Sequence, residues 1–376
     1  MNIVPGVRKI AVLRANALGD FIFALPALDS LRPAYPDAEM TLLGLPWHAE
    51  FLAGRPGPID RVIVVPPYPG VSTPDGTPID HVAVDPFFAR MREERFDIAI
   101  QIHGGGGNSN PFIARLGAGL TIGTRSQNAI ALDRTIPYLY FQKEVLRFLE
   151  VVSLAGARPV TIEPRLCVVE RDRREAARVR PPDGRPLVVL HPGVGSPDRR
   201  WPARRFAAVG DALAREGARI VVTGSSDETE LVATVCRAMA EPAEPTAGAL
   251  SICGLAGLLE RASLVVANDT GPLHLAGAVG AATVGIFWCV NLINGGPTTR
   301  ARHFPLISWN TYCSECGANQ ITAPCRHPVS YVEDVSVDAV LAASRRLYAE
   351  FVHPDEASAI TAVPAHISSS GMTRVP

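Results

Sequence analysis

The apolar run Val265-Val266-Ala267 passes through Asn268 and Asp269 into Thr270-Gly271-Pro272, and a small-residue stretch with His274 follows to Ala276. A strand that feeds a helix this abruptly builds a phosphate site. The free N–H groups and positive dipole end of the helix face whatever lies above the strand, and a diphosphate suits that place. Pro272 fits the first helical turn, Thr270 can cap or donate its hydroxyl, and Gly271 lets backbone approach a ligand. His274 can reach the same ligand from within the first turn. Taken alone, the stretch is better read as an ordinary strand–turn–helix joint with an Asx turn, so the rest of the chain has to decide.

The chain has 376 residues, too many for one small core and suited to two ordinary domains, and its 47% hydrophobic content can bury both. A formal net charge of -1 and the absence of long like-charge blocks argue against nucleic acid as a partner. Small molecules or sugars are the expected partners. No apolar stretch reaches the ~18 residues needed to cross a bilayer, and the N-terminus lacks a basic segment followed by a long apolar run. The expectation is a cytoplasmic protein with at most peripheral contact at the inner face of the membrane. Seven cysteines scattered through such a chain do not suggest a disulfide framework.

Strand-like and helix-like segments alternate along the chain. In the first half, residues 9–14 predict a buried parallel strand and 24–31 a helix, with further strands at 40–43, 62–65 and 98–102. Residues 66–78, rich in Pro and Gly, predict an exposed loop. In the second half, strands are predicted at 187–190, 219–223, 264–267 and 284–287, and helices at 204–216, 228–239 and 338–351. The expected organisation is an N-terminal domain over 1–170, a linker over 171–186, a C-terminal domain over 187–352 and a disordered tail over 353–376. Two doubly wound domains would face each other across a cleft lined by the carboxyl ends of both sheets.

Four segments can carry chemistry. Arg14 to Phe21 ends the first strand, with Gly19 permitting a tight loop and Asp20 placed just before a helix, where an Asp is a cap or a general base. Position alone favours the cap. Gln101-Ile102-His103 runs into four glycines, a weak signal without G-x-G-x-x-G spacing. His191-Pro192-Gly193 leads to Ser196 and the pair Arg199-Arg200, a loop able to bind phosphate through amides and a guanidinium or to form a plain turn closed by Trp201. Thr223 to Glu228 is a strand-to-helix turn in which Ser226 or Asp227 is the expected cap. The absence of G-x-G-x-x-G after the first strand disfavours a dinucleotide-dependent dehydrogenase.

These segments, in this order, resemble glycosyltransferase family 9, the ADP-heptose:lipopolysaccharide heptosyltransferases. The resemblance runs from about Lys9 to Phe351 and rests on Leu18-Gly19-Asp20, Leu25-Pro26-Ala27-Leu28, Tyr35-Pro36-Asp37-Ala38, His191-Pro192-Gly193 with Arg200-Trp201-Pro202, and Asn268 to Ala276. It implies the GT-B fold, two Rossmann-like domains with the acceptor on the first and the nucleotide sugar on the second. It also implies an inverting sugar transfer to a glycan or lipid-linked acceptor in surface polysaccharide synthesis. By that resemblance Asp20 matches the general base, while Gly19, Ser196, Arg199, Asp269, Thr270, Gly271, Pro272 and His274 fall on substrate-binding positions. Arg199 stands where many members carry Lys. No cofactor and no catalytic metal are expected.

Two departures accompany the match. The chain looks shorter than the family pattern between Ile252-Cys253-Gly254 and Leu258-Leu259, and the family's acidic donor-site residue aligns with either Ser226 or Glu228. Cys313, Cys316, Cys325 and His327 have spacings compatible with zinc, but the second pair departs from that of a zinc knuckle, so reduced, partly buried cysteines are favoured over a metal. Cys167, Cys236, Cys253 and Cys289 read as core residues. Two alternatives to a glycosyltransferase stay open: another GT-B nucleotide-sugar enzyme, epimerase-like, and a non-catalytic nucleotide-sugar-binding protein.

Overall fold

A computed structural model describes residues 2–352, with side chains described through residue 349. The expected tail after 352 lies outside the described residues. The first half contains β1 (Lys9–Leu13), α1 (Leu18–Ala34), β2 (Glu39–Gly44), α2 (Pro46–Leu52), β3 (Arg61–Val64), α3 (His81–Glu94), β4 (Ile98–Gln101), α4 (Ser109–Ala114), β5 (Leu120–Arg125), β6 (Arg134–Pro137), α5 (Glu144–Ser153) and α6 (Glu170–Val179). The second contains β7 (Leu187–His191), α7 (Ala203–Arg215), β8 (Arg219–Gly224), α8 (Thr229–Ala238), β9 (Ala243–Ala247), α9 (Ile252–Glu260), β10 (Ala262–Asn268), α10 (Gly271–Ala278), β11 (Thr283–Trp288), α11 (Cys289–Gly295), β12 (His303–Ser308) and α12 (Val337–Val352).

The strands form two parallel six-stranded sheets ordered β3-β2-β1-β4-β5-β6 and β12-β11-β10-β7-β8-β9. Counted from the first strand of each half, the two orders are the same doubly wound order. In each sheet the order reverses between the first and fourth strands, which opens a crevice at their carboxyl ends. That crevice lies between β1 and β4 in one half and between β7 and β10 in the other. The strands are apolar on both faces because helices cover both; every residue of β7, β10 and β11 is buried.

Several expectations change. Helix α1 begins at Leu18, so Asp20 is its third residue, and the N-cap is Ala17. The loop over 66–78 is irregular as expected, yet it buries Tyr68 and Val71 in the core behind β1, where Tyr68 packs on Phe112. Pro and Gly signal the irregular backbone but not its burial. Residues 171–186, expected as a linker, are helical through Val179, and α6 packs on α9. The glycines of α9 allow it: a Cβ on Gly257 would lie 2.3 Å from the Asp172 carbonyl oxygen. The Arg-rich outer face of α6 hides this packing face from composition. The short edge strands β6 and β9 carry too little apolar pattern to be read from sequence.

Arg55, just after α2, reaches Asp172 on α6 with Nη1 to Oδ2 at 2.7 Å, and both side chains are at most 1% exposed. The Val169 N–H also donates to that carboxylate oxygen, at 3.0 Å. Removing one partner of a buried pair strands the other charge, at about 3–5 kcal/mol. Asp172→Ala should therefore lower the urea midpoint by the equivalent of about 3 kcal/mol. A loss below about 1 kcal/mol would mean that water or a neighbour compensates Arg55.

Candidate active site

The segments that end β1, β4, β7 and β10 lie at the two crevices, and the one that ends β8 lies beside the second. Arg14 follows β1 and is buried, its guanidinium donating from Nη2 to Asp20 Oδ1 at 3.0 Å and from Nε to the Asp20 carbonyl at 3.0 Å. A third donor, Nη1, goes to the Ile102 carbonyl at the end of β4, and the Phe148 ring lies 4.7 Å below the guanidinium. Burial lowers the Arg14 pKa against the opposing pull of Asp20. Arg14 thus holds Asp20 by both main chain and carboxylate, while the Asp20 side chain stays 40% exposed at the first turn of α1. The sequence reading passed over Arg14. Its one signal was a charged residue ending an otherwise apolar strand.

His103, after β4, closes the back of this loop. Its Nδ1 accepts from the Ala15 N–H at 3.3 Å, so Nε2 carries the proton toward the Gly70 carbonyl at 3.2 Å. Burial, with Arg14 nearby, pushes its pKa down to about 3. The four glycines that follow His103 serve this fold locally: a Cβ on Gly106 would lie 2.7 Å from the Thr124 carbonyl oxygen, and its φ is +90°.

Across the cleft, Thr270 is the N-cap residue of α10, its hydroxyl makes no capping bond, and Pro272 sits in the first turn. Asp269 is a clasp: Oδ1 takes His274 Nε2 at 3.1 Å and Oδ2 takes Arg199 Nη1 at 3.3 Å. Its neighbour Asn268 is fully buried and ties both ends of the loop after β7, accepting the Trp201 N–H at 3.0 Å and donating to the Pro192 carbonyl at 2.8 Å. Ser196 precedes the short turn of Pro197–Arg199, its hydroxyl 3.5 Å from Asp198 Oδ2.

The expected caps after β8 give way to Ser225, whose N–H donates to Glu228 Oε2 at 2.8 Å in a capping box. A Cβ on Gly193 would lie 2.0 Å from Glu228 Oε1, so the carboxylate sits against the loop after β7, whereas Ser226 packs on Gly248. Buried His191 bonds Thr223 Oγ1 at 3.1 Å, and burial lowers its pKa against the opposing charge of Glu228. The helix expected to be shortened, α9, opens normally with Ser251 accepting from the Gly254 N–H.

The two crevices meet. A Cβ on Gly19 would lie 3.1 Å from the His274 ring, and one on Gly271 would lie 3.2 Å from the Gly19 nitrogen. Phe23 of α1 packs on the His274 ring at 4.5 Å between centroids. Asp20, Arg199, Asp269 and His274 therefore surround one cleft. A separate cavity of about 410 Å³ opens beside His274, between Phe23, Leu273 and Phe287, but Asp20, Arg199 and Asp269 do not line it. Elsewhere, Cys313, Cys316, Cys325 and His327 place one ligand atom each within 4.8 Å of one another. Cys289 is buried as expected, Cys236 and Cys253 are half-buried, and Cys167 is exposed, a correction that follows from its place in the open segment before α6.

Two doubly wound halves that meet across a cleft have the GT-B architecture. The sequence profile described as Glycosyltransferase family 9 (heptosyltransferase) matches residues 85–325, and the chain belongs to that family. It is 29% identical over 109 residues to lipopolysaccharide heptosyltransferase 3 of Escherichia coli, a match covering 28% of this chain and 32% of that protein. The match thus spans about a third of the relative. Among solved structures, a family 9 glycosyltransferase from Veillonella parvula superposes with TM-score 0.76 at 22% identity, covering 93% of this chain and 100% of the other. E. coli ADP-heptose heptosyltransferase II superposes with TM-score 0.70 at 17% identity over 91% and 99%. The GT-B expectation and the family resemblance hold. Among the described residues no helix is long and apolar enough to cross a membrane.

Buried His48 shares the state of His103: burial pushes its pKa to about 3. In the unfolded chain both return to ordinary values near 6.5, so unfolding takes up protons below that pH. Stability is fully present above pH 6.5 and is lost as pH falls toward 3, by about 1.4 kcal/mol per pH unit for each histidine. Chemical denaturation across this window should show that slope, shallower by about one proton in His103→Gln. An unchanged slope would remove His103 from the acid sensitivity.

Proposed function

We propose that the protein transfers a sugar, with inversion, from a nucleoside diphosphate donor to a glycan or lipid-linked acceptor, and that the donor is of the ADP-heptose type. The observation that supports this reading is the meeting of the two helix starts, Gly19 with Gly271 and His274, one residue from Asp20. The ADP-heptose assignment takes support from the named substrate of the E. coli neighbour.

The acceptor hydroxyl lies on the N-terminal half, and Asp20 takes its proton as the oxygen attacks the anomeric carbon. Arg14 keeps that carboxylate aimed outward. The departing diphosphate lies over α10, where free N–H groups, the Thr270 hydroxyl, Arg199 and His274 share its growing negative charge. Asp269 acts through its neighbours, holding Arg199 and His274 in place. Glu228 offers a carboxylate to donor hydroxyls above the Gly193 loop. A single displacement leaves the anomeric centre inverted. On this reading the first half binds the acceptor and the second binds the donor.

The test is Asp20→Asn, nearly isosteric and still able to accept from Arg14. Transfer from ADP-heptose to a lipopolysaccharide-core acceptor should fall by about 10²–10⁴-fold while ADP affinity, read by calorimetry, stays within about twofold. Unchanged transfer would discard Asp20 as the base. Donor turnover without acceptor would favour the epimerase-like alternative, and binding without turnover in the parent protein would favour a non-catalytic binder.

A further inference from the structure

Between β12 and α12 the chain makes a long excursion that packs no regular element of its own. Within it, Cys313 N–H donates to the Ala318 carbonyl and Gly317 N–H to the Cys313 carbonyl, both at 2.9 Å. Gly317 takes φ +69°, and the Glu315 N–H points at Cys313 Sγ from 3.4 Å. This Cys-x-x-Cys-Gly turn aims two thiols at one point and supplies an amide donor that favours a thiolate. Cys325 and His327 come back to the same point. Its Sγ receives Gln320 Nε2 at 3.3 Å, and His327 Nδ1 lies 3.6 Å from Cys313 Sγ.

These distances have a size that can be checked. A tetrahedral zinc with bonds of about 2.3 Å to sulfur and about 2.05 Å to nitrogen requires ligand–ligand edges of about 3.8 Å and about 3.6 Å. The thiol–imidazole edge already has that length, and all four donor atoms fall within 4.8 Å. Three soft sulfurs and one imidazole, without a carboxylate, suit zinc rather than magnesium, calcium or manganese. The four ligands fill the shell, as in a structural site.

We propose that Cys313, Cys316, Cys325 and His327 bind one structural zinc ion, and that the closed knuckle braces the Arg199 turn. The brace is a short chain of bonds. Gln320 receives the buried Tyr331 hydroxyl at 2.8 Å, the Tyr331 N–H donates to the Asp198 carbonyl at 2.6 Å, and the Ser330 hydroxyl donates to the Arg200 carbonyl at 2.8 Å. Asp198 and Arg200 flank Arg199 on both sides. Residues 313–327 add no side chain to the hydrophobic cores, so metal coordination supplies their folding free energy. The effect on the donor, unlike the metal site, rests on the reading of Arg199 as a diphosphate ligand.

Elemental analysis of the full chain purified without chelator should give one zinc per chain. Protein stripped with chelator under reductant and refilled with cobalt(II) should show thiolate-to-cobalt charge transfer and tetrahedral ligand-field bands. Cys316→Ser and His327→Ala, both at exposed positions, should each weaken or abolish metal retention while the fold persists by circular dichroism. ADP should bind the stripped protein about fivefold or more weakly than the zinc form. Chains without metal that also give no cobalt charge transfer, a disulfide between two of the three cysteines, or iron in the place of zinc would overturn the assignment. Equal ADP affinity with and without zinc would overturn the brace. Metal content and the cobalt spectrum need no nucleotide, so they stand or fall separately from the donor reading.

Discussion

The backbone-distance contact between the first turns of α1 and α10 is the constraint on which the site depends. Gly19 and Gly271 face each other so closely that a side chain on either would meet the other helix or the His274 ring. Two helix N-termini therefore open on one cleft, each with its unpaired N–H groups and positive end turned to the same place. Such an arrangement repels itself unless anions answer it. Asp20 and Asp269 supply two of those anions from the protein, and a diphosphate would supply the rest.

Consecutive residues at the end of β10 divide two tasks. Asn268, fully buried, spends its amide on main-chain groups at Trp201 and Pro192, which fixes both ends of the loop after β7 relative to the strand. Asp269, one residue on, points the other way along the strand and clasps Arg199 and His274. The first bond pair places the loop that carries Arg199; the second aims its guanidinium. Leaving the buried Trp201 N–H and Pro192 carbonyl unpaired would cost more than the bonds themselves contribute, which makes Asn268 a positional rather than a chemical necessity.

The halves are joined by polar contacts as well as apolar ones. The hydrophobic core continues from β1, α1 and α5 into α9 and α10 without a break. Lys143, before α5, donates to the Gly296 carbonyl at 2.6 Å, Asn294 donates to the Tyr140 carbonyl at 3.0 Å, and the Arg55–Asp172 pair ties the segment after α2 to α6, which packs on α9 of the second half. These bonds cross between segments far apart in sequence, and no periodicity announces them.

Local pattern was enough for the strands β1 to β4, β7, β8, β10 and β11, the strand-to-helix joints at Asp20 and Asp269, and the loop that carries Arg199. Buried parallel strands are apolar on both faces, and helix starts after strands carry small, capping and proline residues, so each leaves a short-range mark in the sequence. Only the tertiary structure decided that Arg14 grips Asp20, that Glu228 rather than Ser226 faces the Gly193 loop, that α6 packs one face on α9, and that three cysteines and a histidine converge. Each of these turns on a distance between groups that spacing along the chain leaves free, and a polar side chain declares its partner only once the fold has closed around it.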